Sequence, residues 1–93
     1  MIDLADELIE FYGKECPTCM DLSKILDRLE QAEGIEVKRI EVWHSASNLA
    51  IMMKYAEGKC SAVPFLYNRK TGNYFCGVVP SDEKLINWAK GLE

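Results

Sequence analysis

Apolar and polar residues along this chain switch between two spacings. Leu8-Ile9-Glu10-Phe11-Tyr12 is a short run, apolar except at Glu10, and reads as the core of a strand over about 7–12. After Gly13-Lys14-Glu15, apolar side chains recur at Leu22, Ile25, Leu26 and Leu29. That i, i+3, i+4, i+7 spacing predicts a helix over about 17–33, stopped by Gly34 as its C-terminal cap. Residues 35–42 alternate apolar and charged for much of their length, the mark of a half-buried second strand. Ser45 or Ser47 can cap a second helix over about 46–57, with Leu49, Met52, Met53 and Ala56 as its buried stripe. Two further strands are expected at 62–67 and 73–78, joined by the hairpin loop Asn68-Arg69-Lys70-Thr71-Gly72. Ser81 caps a last helix over about 82–92, with Leu85, Trp88, Ala89 and Leu92 facing the core. Residues 1–6 read as a short lead-in.

The order is therefore βαβαββα. Strands joined through helices run parallel by a right-handed crossover, and the closing hairpin adds an antiparallel pair. The expected fold class is α/β, a four-stranded mixed sheet packed by three helices. With 93 residues, about half of them apolar, the chain is expected to be one domain over 1–93 with a core that needs no disulfide staples. A net charge of −4 argues against nucleic acid and anionic membranes as main partners. No apolar run approaches the roughly 20 residues of a membrane span. The acidic start, Met1-Ile2-Asp3-Leu4-Ala5-Asp6-Glu7, lacks the basic and apolar parts of a signal peptide, so a cytoplasmic location is expected.

Chemistry concentrates at Cys16-Pro17-Thr18-Cys19, where the first strand turns into the first helix. A thiolate is the nucleophile in disulfide exchange, and a helix N-terminus favours an anion, so Cys16 is expected to be reactive near neutral pH. Pro17 fits the first helical turn, where its missing N–H would have had no partner. Cys19 lies deeper in the same turn, within reach of Cys16. Glu15 beside Cys16 opposes thiolate formation unless Lys14 and the helix dipole outweigh it. The other two cysteines look unconnected. Extended from a hairpin with Cys76 opposite about Phe65, Cys60 falls five residues along, roughly 16 Å at about 3.3 Å per residue, too far for a disulfide. The spacing of the four cysteines does not match a zinc ribbon, and no metal ligands are expected. Cys76 is read mainly as a small buried apolar residue, with a second redox role for these cysteines as the alternative. His44 is read as a loop or capping residue without chemistry.

With the C-P-x-C at a strand-to-helix turn and Val63-Pro64 at the start of the third strand, the chain resembles the thioredoxin superfamily in its compact, glutaredoxin-like form. The resemblance spans residues 7–92. It implies a cis bond before Pro64, and that Val63 and Pro64 form a wall pairing with an extended substrate beside the cysteines. Pro17, Thr18 and Tyr12 would complete that surface. The run Glu10-Phe11-Tyr12-Gly13-Lys14-Glu15-Cys16 is similar to the family's Asp-Phe-Trp-Ala-x-Trp-Cys. Glu10 thereby stands where the family keeps a buried carboxylate that helps deprotonate the resolving cysteine, although a solvent-facing Glu10 is an equal alternative. Gly77, Ser81 and Asp82 match the family's glutathione site only in part.

The expected function is thiol–disulfide oxidoreductase. Cys16 and Cys19 would be catalytic, supported by Glu10 and Lys14. The expected partners are disulfide-containing proteins and an electron donor such as a thioredoxin-reductase-like flavoenzyme, in preference to glutathione. No cofactor is built in, and a monomer is expected. The alternative class is a non-catalytic module that binds an extended peptide, or a metal ion through its cysteines.

Overall fold

A computed structural model describes residues 7–92; the expected lead-in over 1–6 lies outside the described residues. The elements are β1 (Leu8–Tyr12), α1 (Pro17–Glu33), β2 (Lys38–Glu41), α2 (Ala46–Ala56), β3 (Phe65–Asn68), β4 (Tyr74–Cys76) and α3 (Asp82–Lys90). The strands form one sheet in the order β2-β1-β3-β4. β1 runs parallel to β2 and antiparallel to β3, and β3 is antiparallel to β4.

The sheet divides the core in two because successive strand residues point to opposite faces. Leu8 and Leu66 join Leu22, Leu26 and Leu29 of α1 and Leu85 and Trp88 of α3 on one face. Ile9, Phe11, Ile40 and Phe65 join Met52 and Ala56 of α2 on the other. Glu10, between Ile9 and Phe11, is thereby turned toward the α1 face. Arg28 of α1 clamps Asp82 at the start of α3 through two hydrogen bonds, 2.8 and 3.1 Å. Gly34 ends α1 in the left-handed conformation, φ 67°, its N–H donating to the Glu30 carbonyl at 3.1 Å. Ser45 and Ser81 cap α2 and α3, accepting from the N–H groups of Asn48 and Lys84. Among the described residues no helix is long and apolar enough to cross a membrane.

The expected elements shorten where pairing runs out. β2 begins at Lys38, not at 35, because β1 offers it partners only from Ile9 onward. The N–H of Val37 donates instead to the Glu30 carboxylate at 2.9 Å. β3 begins at Phe65, not at 62, and the chain bends over residues 61–64. The stripe on α2 is rotated by one residue, about 100° of helix: Leu49 and Met53 are exposed while Met52 and Ala56 are buried. Leu92 lies beyond Gly91, which ends α3, and is exposed.

These bends also overturn the reading of Cys60. It is bonded to Cys76, with the two Cα atoms 5.5 Å apart. Cys76 does sit opposite Phe65, as the hairpin register predicts. The 16 Å separation assumed an extended chain from 60 to 65, and that stretch doubles back instead.

Candidate active site

The turn from β1 into α1 sets the position of both free thiols. Cys16 is the N-cap of α1, with extended backbone angles of φ −85° and ψ 112°. Its N–H donates to the Gly13 carbonyl at 3.0 Å, which closes the turn. Pro17 follows as the first helical residue and is exposed, with Thr18 half-buried. Where a serine or aspartate cap would present oxygen, the Cys16 Sγ accepts from the Cys19 N–H at 3.1 Å. A backbone donor is thereby aimed at the Cys16 sulfur at the N-terminal end of a 17-residue helix. Both sulfurs are sheltered: Cys16 is 5% exposed and Cys19 2%.

Beneath Cys19 lies a cavity of about 240 Å³ lined by Glu10, Tyr12, Lys14, Cys19, Ser23 and Arg39, among others. Glu10 is 1% exposed, and its Oε2 has no hydrogen-bond partner among the described residues. Burial disfavours the carboxylate and pushes its pKa from the ordinary 4.5 up to about 7; Arg39 pulls it down, and Asp27 and Glu30 add to the rise. Arg39 is held at the cavity wall by Ser23 at 2.9 Å, Glu30 at 2.7 Å and Asp27 at 2.8 Å. It faces Glu10 across the β1–β2 register. Burial raises the Cys19 thiol pKa strongly; its hydrogen bond to Cys16 and the nearby charges of Cys16 and Glu10 add to this, and the Gly13 backbone opposes it. A thiol that holds its proton so firmly needs a base to release it, and a carboxyl that titrates near neutrality shares its cavity.

The other expected residues divide. Tyr12 and Lys14 line the same cavity as Glu10 and Cys19. The N–H of Lys14 donates to the Glu41 carboxylate at 3.0 Å. Val63 and Pro64, joined by a cis bond, immediately precede β3. The register pairs Phe11 with Phe65, so Pro64 comes level with Tyr12, at the strand end from which the Cys16 turn departs. Pro64 is buried and its carbonyl accepts from the Gly77 N–H at 2.8 Å. Val63 instead lines a separate groove of about 330 Å³ with Trp43, Leu49, Ser61 and Ala62.

The loop after β2 contributes residues that sequence reasoning missed. The Trp43 ring packs on Gly13 so closely that a Cβ there would strike it. Glu41 accepts from the N–H groups of Lys14, Trp43 and His44. His44 Nε2 meets both oxygens of Glu15, at 2.7 and 2.8 Å. That hydrogen bond and the Glu15 charge raise the His44 pKa above its ordinary 6.5, with Glu41 adding and Lys14 opposing. Gly13, Lys14 and Glu15 thus each have a partner among residues 41–44, and the histidine read as inert covers the carboxylate next to Cys16. The only signal was the parallel β1–β2 register, which sets these two loops side by side. Among the described residues no group of three or more His, Cys, Asp or Glu side chains is arranged to hold a metal ion.

No protein-family model matches this chain. No curated relative matches it either. Solved structures do. A mutant of the thioredoxin-like protein BC3987 superposes with a TM-score of 0.60 at 15% identity, over 94% of this chain and 97% of that one. The glutaredoxin from Archaeoglobus fulgidus superposes with a TM-score of 0.63, also at 15% identity, over 95% of each chain. The chain has a thioredoxin-like fold, an α/β arrangement of a four-stranded mixed sheet and three helices.

Proposed function

We propose that this chain is a thiol–disulfide oxidoreductase that reduces disulfides through Cys16 and Cys19. The observation that carries the reading is the buried Glu10, with an unpartnered oxygen, in one cavity with Cys19. An orphaned carboxyl oxygen in a core is costly, and a proton-transfer role at the neighbouring thiol accounts for it.

In this reading the Cys16 thiolate attacks one sulfur of a substrate disulfide. That S–S bond breaks, a Cys16–substrate mixed disulfide forms, and the other substrate sulfur leaves as a thiolate. Glu10 takes the proton of Cys19. The Cys19 thiolate then attacks the Cys16 sulfur, releases the second substrate thiolate and leaves a Cys16–Cys19 disulfide. Two electrons have passed to the substrate, and the Glu10 proton returns to solvent or to a leaving thiolate. Val63 and Pro64 form the wall for an extended substrate, beside Tyr12, Pro17 and Thr18, and Lys14 adds positive charge at the cavity. Protein disulfides suit such a wall. An external dithiol donor, such as a thioredoxin-reductase-like flavoenzyme, must re-reduce the pair. A cytoplasmic setting suits this direction of electron flow.

The test is thiol alkylation of the reduced protein near neutral pH, read by mass spectrometry, together with reduction of insulin disulfides. Cys16 should react far faster than Cys19, and the Cys19→Ser variant should trap a mixed disulfide on Cys16. Equal, slow labelling of both thiols and no insulin reduction would leave a peptide-binding module in place of an enzyme.

A further inference from the structure

We infer that the Cys60–Cys76 disulfide is a second redox site, reducible by a dithiol in the folded protein, whose bond clamps the segment that carries Val63 and Pro64. The inference deepens the proposed function, because the clamped segment is its substrate wall.

Position is the first support. Cys60 lies four residues before Pro64, and Cys76 pairs with Phe65, the residue after it. The bond therefore ties one end of the bent segment 61–64 to the last residue of β4, whose ladder pairing with Phe65 holds the other end. Backbone hydrogen bonds bracket the same segment: Cys60 N–H to the Ala56 carbonyl at 2.9 Å, and Gly77 N–H to the Pro64 carbonyl at 2.8 Å. Between them the chain has no regular structure, and Ser61 and Ala62 are exposed. A Cβ on Gly77 would sit 3.4 Å from that of Ala62, so the end of β4 passes close to the segment. Ser61, Ala62 and Val63 in turn form one wall of the groove under Trp43. A short irregular stretch with few contacts of its own opens at low cost unless it is tied down.

Access is the second support. Exchange requires a thiolate to reach a disulfide sulfur. Cys60 and Cys76 are both half-buried, whereas Cys16 and Cys19 are buried. A dithiol's first thiolate attacks one sulfur of the pair, the Cys60–Cys76 bond breaks, and a mixed disulfide forms. Its second thiolate then closes the dithiol's own disulfide. Two electrons and two protons end on Cys60 and Cys76. The reduced state has a place for the new thiol, because the Ala62 carbonyl lies 3.2 Å from the Cys60 Sγ.

The experiment has two arms. In a Cys16→Ser/Cys19→Ser background the remaining pair is equilibrated with dithiothreitol buffers without denaturant, alkylated and counted by mass spectrometry. Amide hydrogen exchange is then read in both states. The expected result is a single two-electron couple in folded protein, with exchange of the Cys60 and Gly77 amides, whose hydrogen bonds bracket 61–64, faster by about tenfold on reduction and β1 and α1 unchanged. Resistance to reduction until the chain unfolds, or unchanged exchange at Cys60 and Gly77, overturns the clamp. The second arm compares the wild type with Cys60→Ala/Cys76→Ala on insulin and on hydroxyethyl disulfide, which is too small to use the wall. KM for insulin should rise by about threefold or more, with the small probe altered by less than about twofold. Equal losses on both probes overturn the link to the wall. A wild type that reduces neither probe defeats the proposed function alone, and the exchange arm still decides the clamp.

Discussion

Cys16 and Cys19 are three positions apart, stand in one helical turn, and are unbonded. Cys60 and Cys76 are sixteen positions apart, one in the loop after α2 and the other at the end of β4, and are joined. The first pair is embedded in an environment that costs stability: an unpartnered carboxyl oxygen and a cavity of about 240 Å³. The second pair closes a loop containing β3 and β4 and holds the least regular stretch near the site. One region is arranged for reactivity at the expense of the fold, and the other restrains the chain beside it. Breaking each pair should therefore fail in a different currency, turnover for the first and stability for the second.

The largest expected effect is on turnover. Cys16→Ser should lower insulin reduction by about a thousandfold or more, since it removes the attacking sulfur. The same variant should unfold within about 1 kcal/mol of the wild type in urea, because serine can cap α1 in its place. A Cys16→Ser protein that retains turnover would remove the distinction between the two pairs.

Next comes stability. Cys60→Ser/Cys76→Ser should lose about 3 kcal/mol in urea unfolding, the chain-entropy value for a loop of about 15 residues. Addition of dithiothreitol to the wild type should reproduce most of that loss. A loss well below 1 kcal/mol would mean that the surrounding packing already restrains residues 60–76, and the contrast between the regions would shrink.

Much of the first region was legible because its signals are local. A strand, a glycine turn, a C-P-T-C and a helical stripe occur within 23 residues of one another, and no distant contact is needed to read them. The alternation Leu8, Ile9, Glu10, Phe11 also contained the answer for Glu10: with Ile9 and Phe11 toward α2, Glu10 has to face α1. The second region was not legible. Extending β3 back to 62 turned a doubled-back segment into a straight one and put the cysteines out of reach. His44 and Trp43 were missed for a related reason. Their partners, Glu15 and Gly13, are almost thirty residues away, and only the β1–β2 register brings the two loops together. The helix α2 misled because it packs on its face of the sheet through few residues, which leaves apolar Leu49 and Met53 outside.

Glu10 sharpens the comparison through pH. Its pKa is ordinary, 4.5, in the unfolded chain and about 7 in the fold. Between these values the folded protein holds a proton that the unfolded chain has lost, so stability falls as pH rises through that window. At about 1.4 kcal/mol per pH unit, the loss above pH 7 is roughly 3 kcal/mol. Glu10→Gln removes it. The variant should match the wild type near about pH 4 and exceed it by up to roughly 3 kcal/mol near about pH 8 in urea unfolding. Its mixed disulfide should meanwhile resolve more slowly at neutral pH. A gain that does not vary with pH would mean that the side chain does not titrate in the fold.

The smallest effect belongs to the pair beside the nucleophile. Below its raised pKa, His44 is an imidazolium that offsets the Glu15 charge; above it the imidazole is neutral and Glu15 stands uncovered next to Cys16. His44→Gln removes the cover at low pH only. The alkylation rate of Cys16 should therefore drop by about twofold near about pH 6 and stay unchanged near about pH 9. Both side chains are more than half exposed, so the effect stays small and shrinks in high salt. Glu15→Gln should act in the opposite sense, raising the rate, most of all at high pH. In the double variant the His44 substitution should have no effect left, because there is no charge to cover. A His44→Gln effect that survives in the Glu15→Gln background, or that ignores salt, would place the histidine's influence in the packing of residues 41–44 against 13–15, where Trp43 and Glu41 already hold the turn.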